Sequence, residues 1–411
     1  MKGFLLCFVC ALGLLSLAEA SNTVGHPIAF VPGIMGVMLH AEAENIPKDH
    51  VPPFCPRNHK EFPIWFNAAF DFNIKCFRHY LKMNYSASTN EWFGTQGVTV
   101  TVPKEGTMYA VDILDAETTK LAKYLHKFIV TFEDHGYVDG VNMTACGYDW
   151  RKLPSPEWAK KCRGYIEKMV ETTGKKALFI GHSMGGPYSY YVLRTAPEGW
   201  VEKYIYKYIT PSPAWMGAPR ALDAMFSGLG HMLPAVISDL FAPLARTIPA
   251  LWFLLPWSEA YDGIPIVQTP ANTYSWTEIP KVLSLEGLDE ADLKMKSVRD
   301  VFQQFNNYDW MPNVPMITTF ATDMDTLYTL VFKEELSKHD PEGEWKRPDP
   351  LHGAGDDTVP ESSLKYPTNN WMKKYPDRNI TYVKLSQVDH TTIVTSDEFI
   401  KLALDEAFHD Y

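Results

Sequence analysis

The residues Gly181-His182-Ser183-Met184-Gly185 follow the apolar run Ala177-Leu178-Phe179-Ile180, and Tyr188, Tyr191, Val192 and Thr195 recur after them at helical spacing. A strand that turns into a helix over five residues brings the two elements so close that small residues must flank the turn. Gly181 and Gly185 stand at those positions. Ser183 between them is held at the tip, where its hydroxyl becomes a usable nucleophile. The N–H of Met184, at the helix start, can then face a developing oxyanion. The five-residue pattern alone is weak; the strand before it and the helix after it give it meaning.

The rest of the chain supplies a matching core. At 411 residues it exceeds one simple core, so one large α/β domain with insertions is expected over residues 21–411. Residues 27–31 read as a buried strand, turned sharply by Pro32-Gly33-Ile34-Met35-Gly36. A helix over 116–132, a strand leading into Cys146, a helix over 157–172 and a strand over 204–209 follow. Later come a strand over 316–320, a strand over 380–385 and a helix over 397–408. Strands alternating with helices predict a mainly parallel sheet with crossover helices. Two stretches break the alternation. Residues 51–92 are aromatic and interrupted by prolines, and read as a small insertion stapled by a disulfide. Residues 211–313 repeat Pro and Trp, and 229–255 is apolar with few charges, which suits a cap or lid.

The first 20 residues have the charged start, apolar stretch and Ala18-Glu19-Ala20 ending of a cleaved signal peptide, which puts the mature start at Ser21. Sequons at Asn84, Asn142 and Asn379 agree with the secretory pathway, toward secretion or a lysosomal or vacuolar lumen. Four cysteines then remain. They permit three pairings, of which neighbouring pairs are the simplest: Cys55 with Cys76 and Cys146 with Cys162. Their spacing is not that of a zinc site, and neither metal nor cofactor is expected. A net charge of −11 without a basic run argues against a nucleic-acid partner. The abundance of aromatics, 12 Trp, 21 Tyr and 22 Phe, suits contact with apolar or interfacial material as well as a large core.

A nucleophilic serine needs a base, and the base needs an acid to orient it. After a nucleophile turn of this kind the chain order is Ser, then Asp or Glu, then His. Gly355-Asp356-Asp357-Thr358-Val359 offers two carboxylates on a short loop. Asp356 is taken as the acid, with Asp357 as a turn residue. His390, after the strand over 380–385 and before the last helix, is the expected base. His182 sits beside the nucleophile and is excluded by geometry, whereas His352 and His231 are the rivals. Asp389 is expected to face away. The second oxyanion donor should be a backbone N–H after the first strand, for which Ile34 is best placed beside Met184. Losing one such donor typically costs ~3 kcal/mol of transition-state stabilisation.

Taken together, the segments Val31-Pro32-Gly33, the loop from Cys55 to Cys76 with Ile64-Trp65, Tyr148-Asp149-Trp150-Arg151, Gly181 to Gly185, Gly355 to Val359 and the late His390 resemble the lecithin:cholesterol acyltransferase and lysosomal phospholipase A2 family. The resemblance spans almost the whole mature chain and supports Asp356 as the acid. It implies an α/β-hydrolase core, a membrane-binding subdomain within 51–92 and a lidded cap within 211–313. It also implies the reaction, in which Ser183 takes a fatty acyl group from a glycerophospholipid and passes it to a sterol-like alcohol or to water. The aromatics of the stapled loop would rest on a phospholipid membrane surface or a lipoprotein-like particle. Arg151 is left to a structural ion pair. The family's second cysteine pair is missing from its usual place, and the apolar stretch 229–255 departs in sequence, so the acceptor is left open. A carboxylesterase or neutral-lipid lipase on the same core is the alternative, and a lipid-binding protein with lapsed machinery is a third reading.

Overall fold

A computed structural model describes residues 25–67, 74–228, 241–304 and 308–409. The expected signal peptide (1–20), His231 and part of the apolar stretch 229–255 lie outside the described residues. Six parallel strands form the central sheet: β1 (Ile28–Val31), β2 (Met143–Ala145), β3 (Ala177–Gly181), β4 (Ile205–Pro211), β5 (Met316–Phe320) and β6 (Ile380–Lys384). Their spatial order is β6-β5-β4-β3-β1-β2. Every residue of β1, β3, β4 and β5 is buried, as a parallel sheet covered by helices on both faces requires. β1 pairs with β3 so that Val31 stands opposite Gly181. The two strands therefore end level, and the turns that leave them, 32–36 and 182–184, lie side by side at the carboxyl edge, where open α/β sheets place their sites. This is the α/β-hydrolase architecture.

Local chemistry starts and stops the crossover helices. The helix Pro156–Thr173 begins where the Ser155 side chain accepts the N–H of Trp158, has Pro at its first position, and ends at Gly174 with φ 68°. Its buried Ala159, Cys162, Ile166 and Met169 recur at helical spacing and face the sheet. Cys162 is bonded to Cys146 just past β2, with Cα atoms 5.1 Å apart. The final helix, Asp397–Ala407, is capped by the Ser396 side chain and carries two acidic residues in its first turn.

The helix expected over 116–132 begins only at His126 and runs to Asp134. Residues before it wind around the buried carboxylate of Asp115, which accepts the N–H groups of Leu121 and Ala122 and the hydroxyl of Thr119. A side chain that satisfies local backbone donors competes with helix formation, and here it wins.

Between 39 and 101 an antiparallel sheet forms from Leu39–Ala43, His59–Trp65 and Val98–Thr101. Cys55, before its second strand, is bonded to Cys76 on the helix Ile74–Leu81. A hairpin of Met83–Ser86 and Glu91–Gly94 follows. In the region after β4, the helix Pro249–Phe253 packs on Ala291–Gln303. No residue pattern announces a further sheet, built from Thr273–Tyr274, Val267–Gln268, Met324–Val331 and Asp349–Gly355. Its last strand, DPLHGAG, holds Pro and two Gly and so lacks any strand signature. Among the described residues no helix is long and apolar enough to cross a membrane.

Candidate active site

Ser183 sits at φ 56°, a conformation side chains rarely adopt, and two glycines make it possible. A Cβ on Gly181 would strike the hydroxyl of Ser189 and the carbonyl of Gly185, and one on Gly185 would strike the carbonyls of Val31 and Pro32. Strand β3, its helix and the end of β1 thus converge within backbone contact. The N–H of Ser183 is tied to the carbonyl of Pro211 at 3.2 Å, which fixes the turn against β4.

The three residues expected to work together are in line. His390 Nε2 lies 2.8 Å from Ser183 Oγ, and His390 Nδ1 lies 2.7 Å from Asp356 Oδ2. All three side chains are buried. Asp356 Oδ1 accepts the N–H groups of Thr358 at 3.2 Å and Val359 at 2.7 Å, and the Asp356 carbonyl accepts the N–H of His390 at 2.8 Å. Asp356 follows the strand Asp349–Gly355, not a strand of the central sheet, so the unanticipated hairpin delivers the acid. Asp357 turns away at φ 79° and accepts the hydroxyl of Thr358. Asp389 accepts the N–H groups of Thr391 and Thr392. His352 is exposed on the hairpin.

Burial pulls the pKa of His390 down, but the charge and hydrogen bond of Asp356 outweigh it, and the net value is above the ordinary 6.5. Only neutral His390 can take a proton from Ser183. A raised pKa keeps it protonated to higher pH, so kcat/KM should fall with acid through a midpoint above pH 6.5. A pH profile on a soluble ester checks this, and an acid limb centred below 6.5 contradicts it.

The turn after β1 lies against the nucleophile: a Cβ on Gly33 would come within 2.8 Å of Ser183 Cβ. Among the described residues no acceptor takes the N–H of Ile34 or of Met184, so both amides are free to meet an oxyanion. The turn is pinned by Tyr148, whose hydroxyl donates to the carbonyl of Pro32 at 2.6 Å, and by Trp65, whose Nε1 donates to the carbonyl of Met35 at 2.7 Å.

A cleft of about 300 Å³ opens on Ser183 and His390. Apolar groups dominate its lining, among them Ile34, Trp65, Phe66, Leu251, Leu254 and Val359. Arg220 also lines it; it pairs with Asp223 at 3.2 Å while its Nε–H has no acceptor among the described residues. Arg220 and Tyr124, another lining residue, carry no signal in the sequence, because neither belongs to a motif. Arg151 forms a two-pronged ion pair with Asp149 and donates to the carbonyl of Leu81, a structural arrangement as expected.

Of the three sequons, Asn379 is exposed and Asn84 half-buried. Asn142 is 5% exposed, and its Oδ1 accepts the N–H of Val138 at 2.6 Å.

The model of the lecithin:cholesterol acyltransferase family matches residues 62–283, over half of the chain. Chicken phosphatidylcholine-sterol acyltransferase is 25% identical over 377 residues, covering 90% of this chain and 87% of its own. The human protein of that name is 26% identical over 386 residues, covering 92% and 84%. Bovine lysosomal phospholipase A and acyltransferase is 28% identical over 270 residues, covering 64% and 66%. A chain in the crystal structure of the Tle4-Tli4 complex has the same fold, with a TM-score of 0.52 at 13% identity over 93% of this chain and 98% of that one. By that match over more than half of its length, the chain belongs to the lecithin:cholesterol acyltransferase family.

Proposed function

We propose that the protein is a serine-dependent lipid acyl hydrolase and O-acyltransferase that takes its acyl group from a glycerophospholipid. The observation that carries this reading is the hydrogen-bonded line Ser183–His390–Asp356 at the floor of an apolar cleft. Ser183 Oγ attacks the ester carbonyl while His390 Nε2 takes its proton, and the oxyanion meets the N–H groups of Ile34 and Met184. Collapse breaks the ester bond, and His390 returns the proton to the departing lysophospholipid hydroxyl. A second hydroxyl, from a sterol-like alcohol or from water, then repeats the sequence on the acyl-enzyme. The apolar lining suits a fatty acyl chain.

The stapled insertion within 51–92 is proposed to rest on a membrane or lipoprotein-like surface, and 211–313 to form the cap. The two disulfides support an oxidising compartment, either secreted or lumenal. Phosphatidylcholine vesicles, with and without sterol or a long-chain alcohol, test the reading. Free fatty acid or a new ester, with lysophospholipid, is expected. Vesicles left intact by an enzyme that cleaves soluble esters would favour the carboxylesterase alternative.

A further inference from the structure

A second chain of hydrogen bonds runs beside the Ser183–His390–Asp356 line and ends on the oxyanion turn. The N–H of Gly33 meets the hydroxyl of Tyr124 at 3.2 Å, that hydroxyl lies 2.7 Å from His182 Nδ1, and His182 Nε2 lies 2.8 Å from the backbone carbonyl of His390. Both ends fix the direction of every bond. A carbonyl only accepts, so His182 Nε2 carries the hydrogen; a backbone N–H only donates, so the Tyr124 oxygen accepts from Gly33. Neutral His182 then has a lone pair on Nδ1, and the Tyr124 hydroxyl donates to it. No polar group of the chain is left over. Burial and the neighbouring His390 hold the pKa of His182 down to about 3, so the neutral form persists across the working range.

Tyr124 also supports the turn by contact, since a Cβ on Gly36 would come within 2.7 Å of its ring. The clamps from Tyr148 and Trp65 hold carbonyls of this turn, whereas Tyr124 holds an N–H one residue before Ile34. Through His182 it is coupled to the backbone of the proposed base itself.

We propose that Tyr124 is a positioning residue for acyl transfer: acting through Gly33 on one side and His182 on the other, it keeps the Ile34 N–H in register with the His390 imidazole. This rests on the acyl-enzyme reading above. The oxyanion donor and the base come from turns far apart in sequence, and a displacement of about 1 Å between them is enough to lose on the order of 100-fold in rate.

The test uses the full mature chain and the variants Tyr124→Phe, His182→Gln and both together. Readouts are kcat and KM on a soluble p-nitrophenyl ester, affinity for a trifluoromethyl ketone that forms a tetrahedral adduct with Ser183, and thermal midpoint. Tyr124→Phe should lower kcat on the order of 10–100-fold with KM changed less than about twofold. Affinity for the ketone should fall by a similar factor, and the double variant should lose little more than the worse single one. A kcat loss below about fivefold in folded Tyr124→Phe overturns the proposal, as does an unchanged ketone affinity or a double variant whose losses multiply. Tyr124→Phe removes one oxygen, so it carries the test alone if His182→Gln does not fold. A wild-type protein that neither cleaves the ester nor labels at Ser183 with a fluorophosphonate defeats the acyl-enzyme reading as well. Normal labelling with an indifferent Tyr124→Phe defeats only the positioning role.

Discussion

Ser183→Ala should remove ester cleavage almost entirely, lowering kcat by on the order of 10⁶-fold, and should abolish fluorophosphonate labelling. The side chain has one partner, His390 Nε2 at 2.8 Å, and no other hydroxyl is paired with that nitrogen among the described residues. The backbone around it keeps its ties, because the N–H of residue 183 still reaches the carbonyl of Pro211. Alanine pays the same left-handed backbone cost as serine at φ 56°, so stability should change little. Activity remaining within tenfold of wild type, in protein with an unchanged thermal midpoint, would place the nucleophile elsewhere. A small residual rate over water is expected, since the amides of Ile34 and Met184 survive the substitution.

The nucleophile was the easiest part to read, because its geometry is demanded locally: a strand, two glycines and a helix within about twenty residues leave few alternatives. The partners were legible only through chain order and the family resemblance. His390 follows β6 as that order requires. Of the two neighbouring carboxylates it is Asp356 that meets His390 Nδ1, yet the strand that carries it leaves no pattern in the sequence. Its Pro and Gly give no alternation, and its pairing with Met324–Val331 is a tertiary fact.

Tyr124 was hidden for a different reason. Its segment reads as helix by apolar spacing, and the competing bonds of Asp115 appear only when the fold folds back on itself. His182 is excluded as a base by its place beside the nucleophile, and that exclusion says nothing of a coupling role. A histidine between two turns offers one donor and one acceptor, which suits a coupler even where it cannot reach the reacting atoms. The sequence thus exposes residues that do chemistry through motifs, whereas those that hold the motifs together emerge only from contacts across the sheet edge.

Asp356→Asn should lower turnover by on the order of 10⁴-fold near neutral pH, while Asp357→Asn should change the plateau rate less than about threefold. The cause lies in how Asp356 is held. Its Oδ1 already accepts two backbone N–H groups, from Thr358 and Val359, and these cannot turn away. An asparagine at 356 must therefore put its carbonyl oxygen there and its NH₂ toward His390 Nδ1. That nitrogen is then forced to accept, the hydrogen moves to Nε2, and Nε2 can no longer take the proton of Ser183. Asp357 has no such hold, since among the described residues its carboxylate accepts only the Thr358 hydroxyl, a bond asparagine can keep. Its charge does help to raise the pKa of His390. Removing that charge favours neutral His390, so Asp357→Asn should move the acid limb of the pH profile to lower pH and leave its height alone. Kinetics of both variants from pH 5 to 9 separate the two effects: a collapsed plateau for Asp357→Asn, or a merely shifted limb for Asp356→Asn, would exchange their roles.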